Sequence, residues 1–447
     1  MLNTAGVALM VVVPQLLIES AVYARVASIA AVCLYLWISE IVPPFVPTLL
    51  LWTLVPLLLA PLDAKFALPN VLTWAVDPVM ALFFGGFALG VATERNGLDR
   101  RLTQFALRTS GNSFRKFLLF VVVITAFLSM WMSNIAAAAL MLACLHPVTG
   151  EFEKNHLLRR ALLIGVALGA DLGGIATPIG TGPNAIAIAS ISATQQVSFL
   201  SWMAFGLPLT IGLLATSYLY LLWRVRRDEK AWTPINANFK SGVNASEDAA
   251  NTKHGRIFFL AILLSTIAMW LTEPLHKIPA AVIALGSAAA LFLSGALAKK
   301  DLLRIDWSTL FLIAGGITLG RLLEQTAIVA SAAAHVPFAD FDPTVSLFIL
   351  CVASALLSAL MSNTATAVLL IPLASALIPL PSTAILVAVS ASFGIPFVIS
   401  TPPNAMVFSE GGVKFADLFW PGIVLMFVGC AVVSLTGRAV LNLVGIP

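Results

Sequence analysis

The stretch LLSALMSNTATAVLLIPLA, Leu356–Ala374, sets a Ser-Asn-Thr triplet in the middle of a membrane-grade apolar run. Buried hydroxyl and amide groups are costly unless something bonds to them, so the triplet needs a partner. A second stretch has the same pattern. LSMWMSNIAAAALML, 128–142, aligns with LSALMSNTATAVLLI, 357–371, and sets Ser133 and Asn134 against Ser362 and Asn363 at an offset of 229. Three further landmarks recur in the same order: Trp37 against Trp270 at 233, Gly85-Gly86 against Gly315-Gly316 at 230, and Pro183-Asn184 against Pro403-Asn404 at 220. Such order at nearly constant offset defines an internal repeat.

Composition fixes the solvent. Of 447 residues, 60% are hydrophobic and 10% charged, whereas a soluble domain carries roughly 25% charged residues. The chain therefore reads as an all-α polytopic membrane protein. Apolar runs predict about eleven crossings, at roughly 5–22, 24–41, 46–62, 78–95, 161–192, 202–224, 257–273, 279–297, 307–325, 384–408 and 418–441. The first is read as a short N-terminal helix within 1–23, since a signal peptide would need a basic leading segment. Residues 116–148 and 345–378 are too long for one crossing and polar at their centres. Each is expected to be a re-entrant helical hairpin whose tip is buried in protein.

Excluding the N-terminal helix, 24–224 and 257–447 form two repeats joined by a polar cytoplasmic linker, 225–256. Five crossings and one hairpin per repeat turn the second copy upside down, the inverted-repeat plan of secondary transporters, here with scaffold and transport domains. With the N-terminus cytoplasmic, only Arg25, Lys65, Lys277, Arg321 and Arg438 of the 25 Lys and Arg residues lie off the inner side, as the positive-inside rule requires. The charge of +4 thus reports orientation and gives no reason to expect nucleic acid. Residues 97–110 pattern as an amphipathic surface helix. Glu40, Glu94, Glu273 and Glu324 read as interfacial anchors, with Arg321 and Glu324 paired at i, i+3. The four cysteines read as packing residues, and the five histidines lack metal-ligand spacing.

Gly and Pro interrupt the spans at GGIATPIGTGPNA, 173–185, and FGIPFVISTPPNA, 393–405, predicting broken helices with free carbonyls opposite the hairpin tips. A lone Ser-Asn pair would be read as glue between helices. Two repeat-related tips beside two breaks point instead to two oxygen-rich cation pockets flanking one anion pocket. Neither H-E-x-x-H nor G-x-S-x-G occurs, which argues against an intramembrane enzyme. A channel would need a continuous polar file, which the clustered polar residues do not form.

WISEIVPPFVPTLL, GGFALGVATERNGLDRRL, FLSMWMSN, GGIATPIGTGPN, MSNTATAVLLIP and TPPNAMVF resemble the landmarks of the divalent anion:sodium symporter family, over nearly the whole chain. The resemblance implies sodium-coupled transport of small divalent anions, C4-type dicarboxylates first, by an elevator mechanism in a homodimer, in the cell inner membrane. It implies one sodium site at Ser129, Ser133, Asn134 and Gly180 and another at Ser358, Met361, Asn363 and Ser400. It implies substrate contacts at Asn134, Asn363, Thr364, Thr401 and Pro402, with Thr181 the repeat mate of Thr401. A sodium-independent exchanger, a proton-coupled carrier and a sulfate transporter are alternatives within the family. Three departures bear on this. Ile135 replaces an expected Thr, removing a hydrogen bond worth about 1.5–3 kcal/mol to a charged group. Ile395 and Val398 stand where the family has Phe and Pro. Asp171 puts a carboxylate inside the membrane, where it could balance a cation, carry a coupling proton or cap a broken helix end.

Overall fold

The computed structural model describes residues 4–18, 20–39, 41–97, 101, 105, 109–110, 113–227, 232, 253–333 and 341–447. The amphipathic segment 97–110, the linker 225–256 and Glu40 lie largely or wholly outside the described residues. Among the described residues the chain is helical, with no strand. After the N-terminal helix α1 (Thr4–Leu17), the first half runs α2 (Ala21–Ser39), α3 (Val46–Leu59), α4 (Leu68–Ala75), α5 (Pro78–Arg95), α6 (Phe114–Ser129), α7 (Asn134–Thr149), α8 (Leu157–Gly173), α9 (Gly182–Ile191) and α10 (Phe199–Val225). The second continues with α11 (Lys253–Leu271), α12 (Ala280–Leu293), α13 (Trp307–Thr326), α14 (Ile328–Ala333), α15 (Pro343–Leu360), α16 (Asn363–Leu377), α17 (Pro381–Ala391), α18 (Pro402–Ser409) and α19 (Phe415–Leu443).

Both hairpins form where the polar triplets predict them. α6 and α7 turn at Met130–Ser133, and α15 and α16 turn at Met361-Ser362. In each, the serine caps the second arm: Ser133 Oγ accepts from the Ala136 N–H at 3.2 Å and Ser362 Oγ from the Ala365 N–H at 3.1 Å. Both predicted spans with internal Gly and Pro are broken, α8 from α9 and α17 from α18.

Breaks of this kind shorten the regular segments. Among the described residues, α2, α10 and α19 are the helices long and apolar enough to cross alone, while α4 and α5 do so together across a 48° bend. α4 is absent from the sequence reading; Pro69 and Pro78 start two helices where the apolar run suggests one.

Packing follows the repeat. α5 lies against α12, and its mate α13 against α3; α9 lies against α16, and its mate α18 against α7. Within repeats, α6 packs on α8 as α15 packs on α17. Even single bonds recur, with Trp37 Nε1 donating to Pro44 O at 2.9 Å and Trp270 Nε1 to Ala280 O at 3.0 Å. α8 is buried from Leu158 to Gly173. Its first turn is pinned by Asp417, whose carboxylate takes Arg160 at 2.9 Å and pairs with Arg224. Cys33, Cys351 and Cys430 are buried packing residues. Glu273 departs from an anchor role: its carboxylate accepts from the Phe199 and Ala280 N–H groups at 3.0 and 3.2 Å. Glu94 pairs with Arg304 at 2.6 Å, and Arg321 with Glu324 at 3.0 Å.

Candidate functional site

A cavity of about 290 Å3 opens where the hairpin tips meet the helix breaks. Its wall carries Ser133, Asn134, Ile135, Asp171, Gly180, Thr181, Asn363, Thr364, Ser400, Thr401 and Pro402, so most of the sequence-predicted set converges on one place. Ser129 and Ser358 stand behind it, fully buried, and Met361 is 8% exposed.

Four helix N-termini converge on this cavity, because the N-caps of α7, α9, α16 and α18 are Ser133, Thr181, Ser362 and Thr401, all on its wall. Each N-terminus carries roughly half a positive charge, and α7 and α16 add first-turn N–H groups, the arrangement that binds anions; α18 instead opens on Pro402-Pro403 and gives its Asn404 N–H to Thr401 Oγ1. Among the described residues no Lys, Arg or His lines the cavity, so these N-termini and the neutral donors are its attraction for an anion.

The tip asparagines are oriented alike. Ser129 Oγ donates toward Asn134 Oδ1 at 2.7 Å and Ala170 O at 2.6 Å, and Ser358 Oγ to Asn363 Oδ1 at 2.6 Å. With Oδ1 so engaged, each amide N–H2 remains a donor. The same contacts gather oxygens. A Cβ placed on Gly174 would lie 2.8 Å from both Asn134 Oδ1 and Gly180 O, so only glycine lets these oxygens approach. An all-oxygen neutral set of this kind fits a hard cation.

A further pair of asparagines holds the breaks open. Asn184 Nδ2 donates to Gly174 O at 3.1 Å and Thr177 O at 2.8 Å. Its mate, Asn404 Nδ2, donates to Ile395 O at 2.8 Å and Phe397 O at 3.0 Å. The sequence marks both as landmarks without assigning them a task.

Among the described residues two carboxylates reach the wall, Asp171 and Asp306. Thr401 Oγ1 donates to Asp171 Oδ2 at 2.9 Å, a bond between the two repeats, while Asp171 Oδ1 is buried without a partner. Asp306 caps α13, accepting from the Thr309 N–H at 3.0 Å and the Thr309 hydroxyl at 2.6 Å. Asp306, Thr309, Phe83 and Phe87 line the cavity without having been singled out in the sequence, and the repeat landmark Trp37 lines it as well. Only the Asp-x-x-Thr cap at 306–309 carried a local signal, and it marks a helix start, not a wall. Ile135 is 48% exposed and gives the first tip an apolar surface where the second offers Thr364. A second cavity, about 310 Å3 between α9, α13, α14 and α16, has as its charged residues Arg321 and Glu324, which neutralise each other.

The pattern of the citrate transporter family matches residues 34–385 and 346–445. The chain belongs to that family. It is 30% identical to an uncharacterized transporter of Haemophilus influenzae over 90% of this chain and 88% of that one. It is 25% identical to the sodium-dependent dicarboxylate transporter SdcS of Staphylococcus saprophyticus, over 88% of this chain and 82% of that one. The crystal structure of the YdaH transporter of Alcanivorax borkumensis shares the fold, with a TM-score of 0.60 at 14% identity over 88% of this chain and 98% of that one. The family resemblance read from the tips and breaks is thereby borne out. The chain is an integral membrane transporter, not an enzyme.

Proposed function

We propose that this chain is a secondary active carrier of small divalent carboxylates, C4-type dicarboxylates first, coupled to sodium. The observation that carries the reading is the convergence of four helix N-termini on one cavity that, among the described residues, has no cationic side chain. One carboxylate would be held by Asn363, Thr364 and Thr401 beside Pro402 at the start of α18, and the other by Asn134 and the Thr181 end of α9. Ser129, Ser133, Asn134 and Gly180 would hold one sodium ion, and Ser358, Met361, Asn363 and Ser400 a second. Bound there, sodium supplies positive charge beside the anion.

The electrostatics support coupling. Four N-termini offer roughly two positive charges in total, and Asp171 and Asp306, when both are ionised, would return as much negative charge. A dianion therefore gains little net attraction until cations arrive. The sodium-dependent dicarboxylate transporter of Staphylococcus saprophyticus, similar over most of the chain, supports the same reading. Hairpins and broken helices, α6–α9 and α15–α18, would move as one body against a scaffold in a homodimer, in the inner membrane with the N-terminus cytoplasmic. A proton-coupled carrier or sodium-independent exchanger is the second reading, favoured by Asp171 and Ile135 on the cavity wall.

The test is uptake of labelled succinate into proteoliposomes. Uptake driven by an inward sodium gradient into empty vesicles is expected. Uptake confined to vesicles preloaded with dicarboxylate would replace symport with exchange, and uptake driven only by an inward proton gradient would favour the proton-coupled carrier.

A further inference from the structure

Asp171 sits in the last turn of α8, 2% exposed, on the cavity wall. Its mate at offset 220 is Ala391, so the twofold pattern of the tips does not account for it. The C-terminal end of α8 contributes further negative charge. Among the described residues no Lys, Arg or His lines the cavity, and the other carboxylate on its wall, Asp306, is held by Thr309. Asp171 Oδ2 takes the Thr401 hydroxyl, and Oδ1 is buried with no partner. Ionised, a carboxylate so placed needs a positive charge beside it.

We propose that Asp171 and Thr401 form a further alkali-cation position, distinct from the two serine-asparagine tips, and that Thr401 links this position to the anion. The second half rests on the carrier reading above. The link follows from counting hydrogens. Thr401 Oγ1 accepts from the Asn404 N–H at 3.3 Å and has a single O–H to give. While that hydrogen points at Asp171, it cannot reach a carboxylate in the cavity. A cation on Asp171 occupies the acceptor and draws the Thr401 oxygen, turning its hydrogen toward the anion. Cation and anion then bind with positive coupling, each tightening the other by the same factor.

The neighbouring groups are carboxylate and hydroxyl oxygens, which suit sodium as a hard cation. The hydroxyl rotor also separates this role from a static cap. A capping carboxylate would have no influence on how an anion is held, whereas this one controls whether Thr401 can donate.

The experiment uses the full-length protein purified in detergent and follows thermal unfolding against sodium chloride, with choline chloride holding ionic strength constant. Wild type is compared with Asp171→Asn and with Asp171→Ala. Stabilisation by a ligand grows with the logarithm of its concentration for each site filled. Without any anion, the wild-type midpoint is expected to rise with log sodium about 1.5 times as steeply as that of Asp171→Asn, three sites against two. With succinate added and sodium absent, Asp171→Ala is expected to be stabilised and wild type not, because no acceptor is then left to hold the Thr401 hydrogen. Equal sodium slopes in both proteins would overturn the cation position. A wild-type midpoint that follows pH and ignores sodium would overturn it in favour of a proton. A sodium slope that differs as expected, with no small carboxylate stabilising either protein, would uphold the cation position and sink the carrier reading alone.

Discussion

Asn363 and Thr364 offer their donors at the second tip, with the amide of Asn363 turned outward by Ser358 at 2.6 Å. Removing one donor to a charged carboxylate costs about 1.5–3 kcal/mol, or roughly 10- to 100-fold in affinity. Asn363→Ala and Thr364→Ala are therefore each expected to weaken succinate uptake by that factor while the protein still elutes as a folded species. Ile135 supplies the opposite test at the first tip, where it is 48% exposed to the cavity. Ile135→Thr should tighten dicarboxylate binding by roughly 10-fold in calorimetry, since it adds the hydroxyl that Thr364 provides across the site. Unchanged uptake in both alanine variants would remove the site assignment. These residues were legible because Ser-Asn inside an apolar run has few bland explanations and here occurs twice. Asp306 was not, because an aspartate before Trp307 looks like any helix cap. That it borders the cavity depends on the packing of α13, which no local pattern encodes.

Helix breaks are the next scale, and the asparagine clamps decide whether they hold. Asn404 covers Ile395 O and Phe397 O, and Asn184 covers Gly174 O and Thr177 O. An unsatisfied buried acceptor costs about 1–3 kcal/mol. Asn184→Ala and Asn404→Ala are each expected to lower the thermal midpoint in sodium-free buffer, where no site is filled, by losing two such bonds. Midpoints within one degree or so of wild type would show that water replaces the amide. The sequence revealed these elements to within a few residues, the predicted hairpins 116–148 and 345–378 appearing at Phe114–Thr149 and Pro343–Leu377. Proline, glycine and cap residues are local signals, so they survive without tertiary information. The 48° bend between α4 and α5 falls at Val76-Asp77, where Asp77 caps α5 and Pro78 begins it, and hydropathy alone is blind to it.

Across the whole molecule the repeats match in packing but not in conformation, and the difference sits at the tips. In the first tip Trp131 is 8% exposed, its ring parallel to Trp270 within 2° at 6.1 Å and to Phe199 within 9° at 6.1 Å; Phe199 lies 4.5 Å from Trp270. Its mate at offset 229 in the second tip, Leu360, is 68% exposed. Trp131 belongs to the hairpin and Trp270 to α11, so this stack ties the first tip to the opening helix of the other repeat. A carrier that exposes its site alternately must part such a contact in one of its states. Aromatic pairs add about 0.5–1.5 kcal/mol beyond buried area, enough to shift the balance of two states roughly 2- to 10-fold. Trp131→Leu, which copies the second tip, is expected to depopulate this conformation by that factor. The reporter is Ile135→Cys on the cavity wall, labelled by a membrane-impermeant maleimide after the native cysteines are replaced. Its labelling rate should fall on the face open in this conformation and rise on the other. Sodium and succinate affinities at equilibrium should move much less, because no tip oxygen is touched. Equal labelling with and without Trp131 would mean that the stack is ordinary packing and that the asymmetry between the tips has another origin.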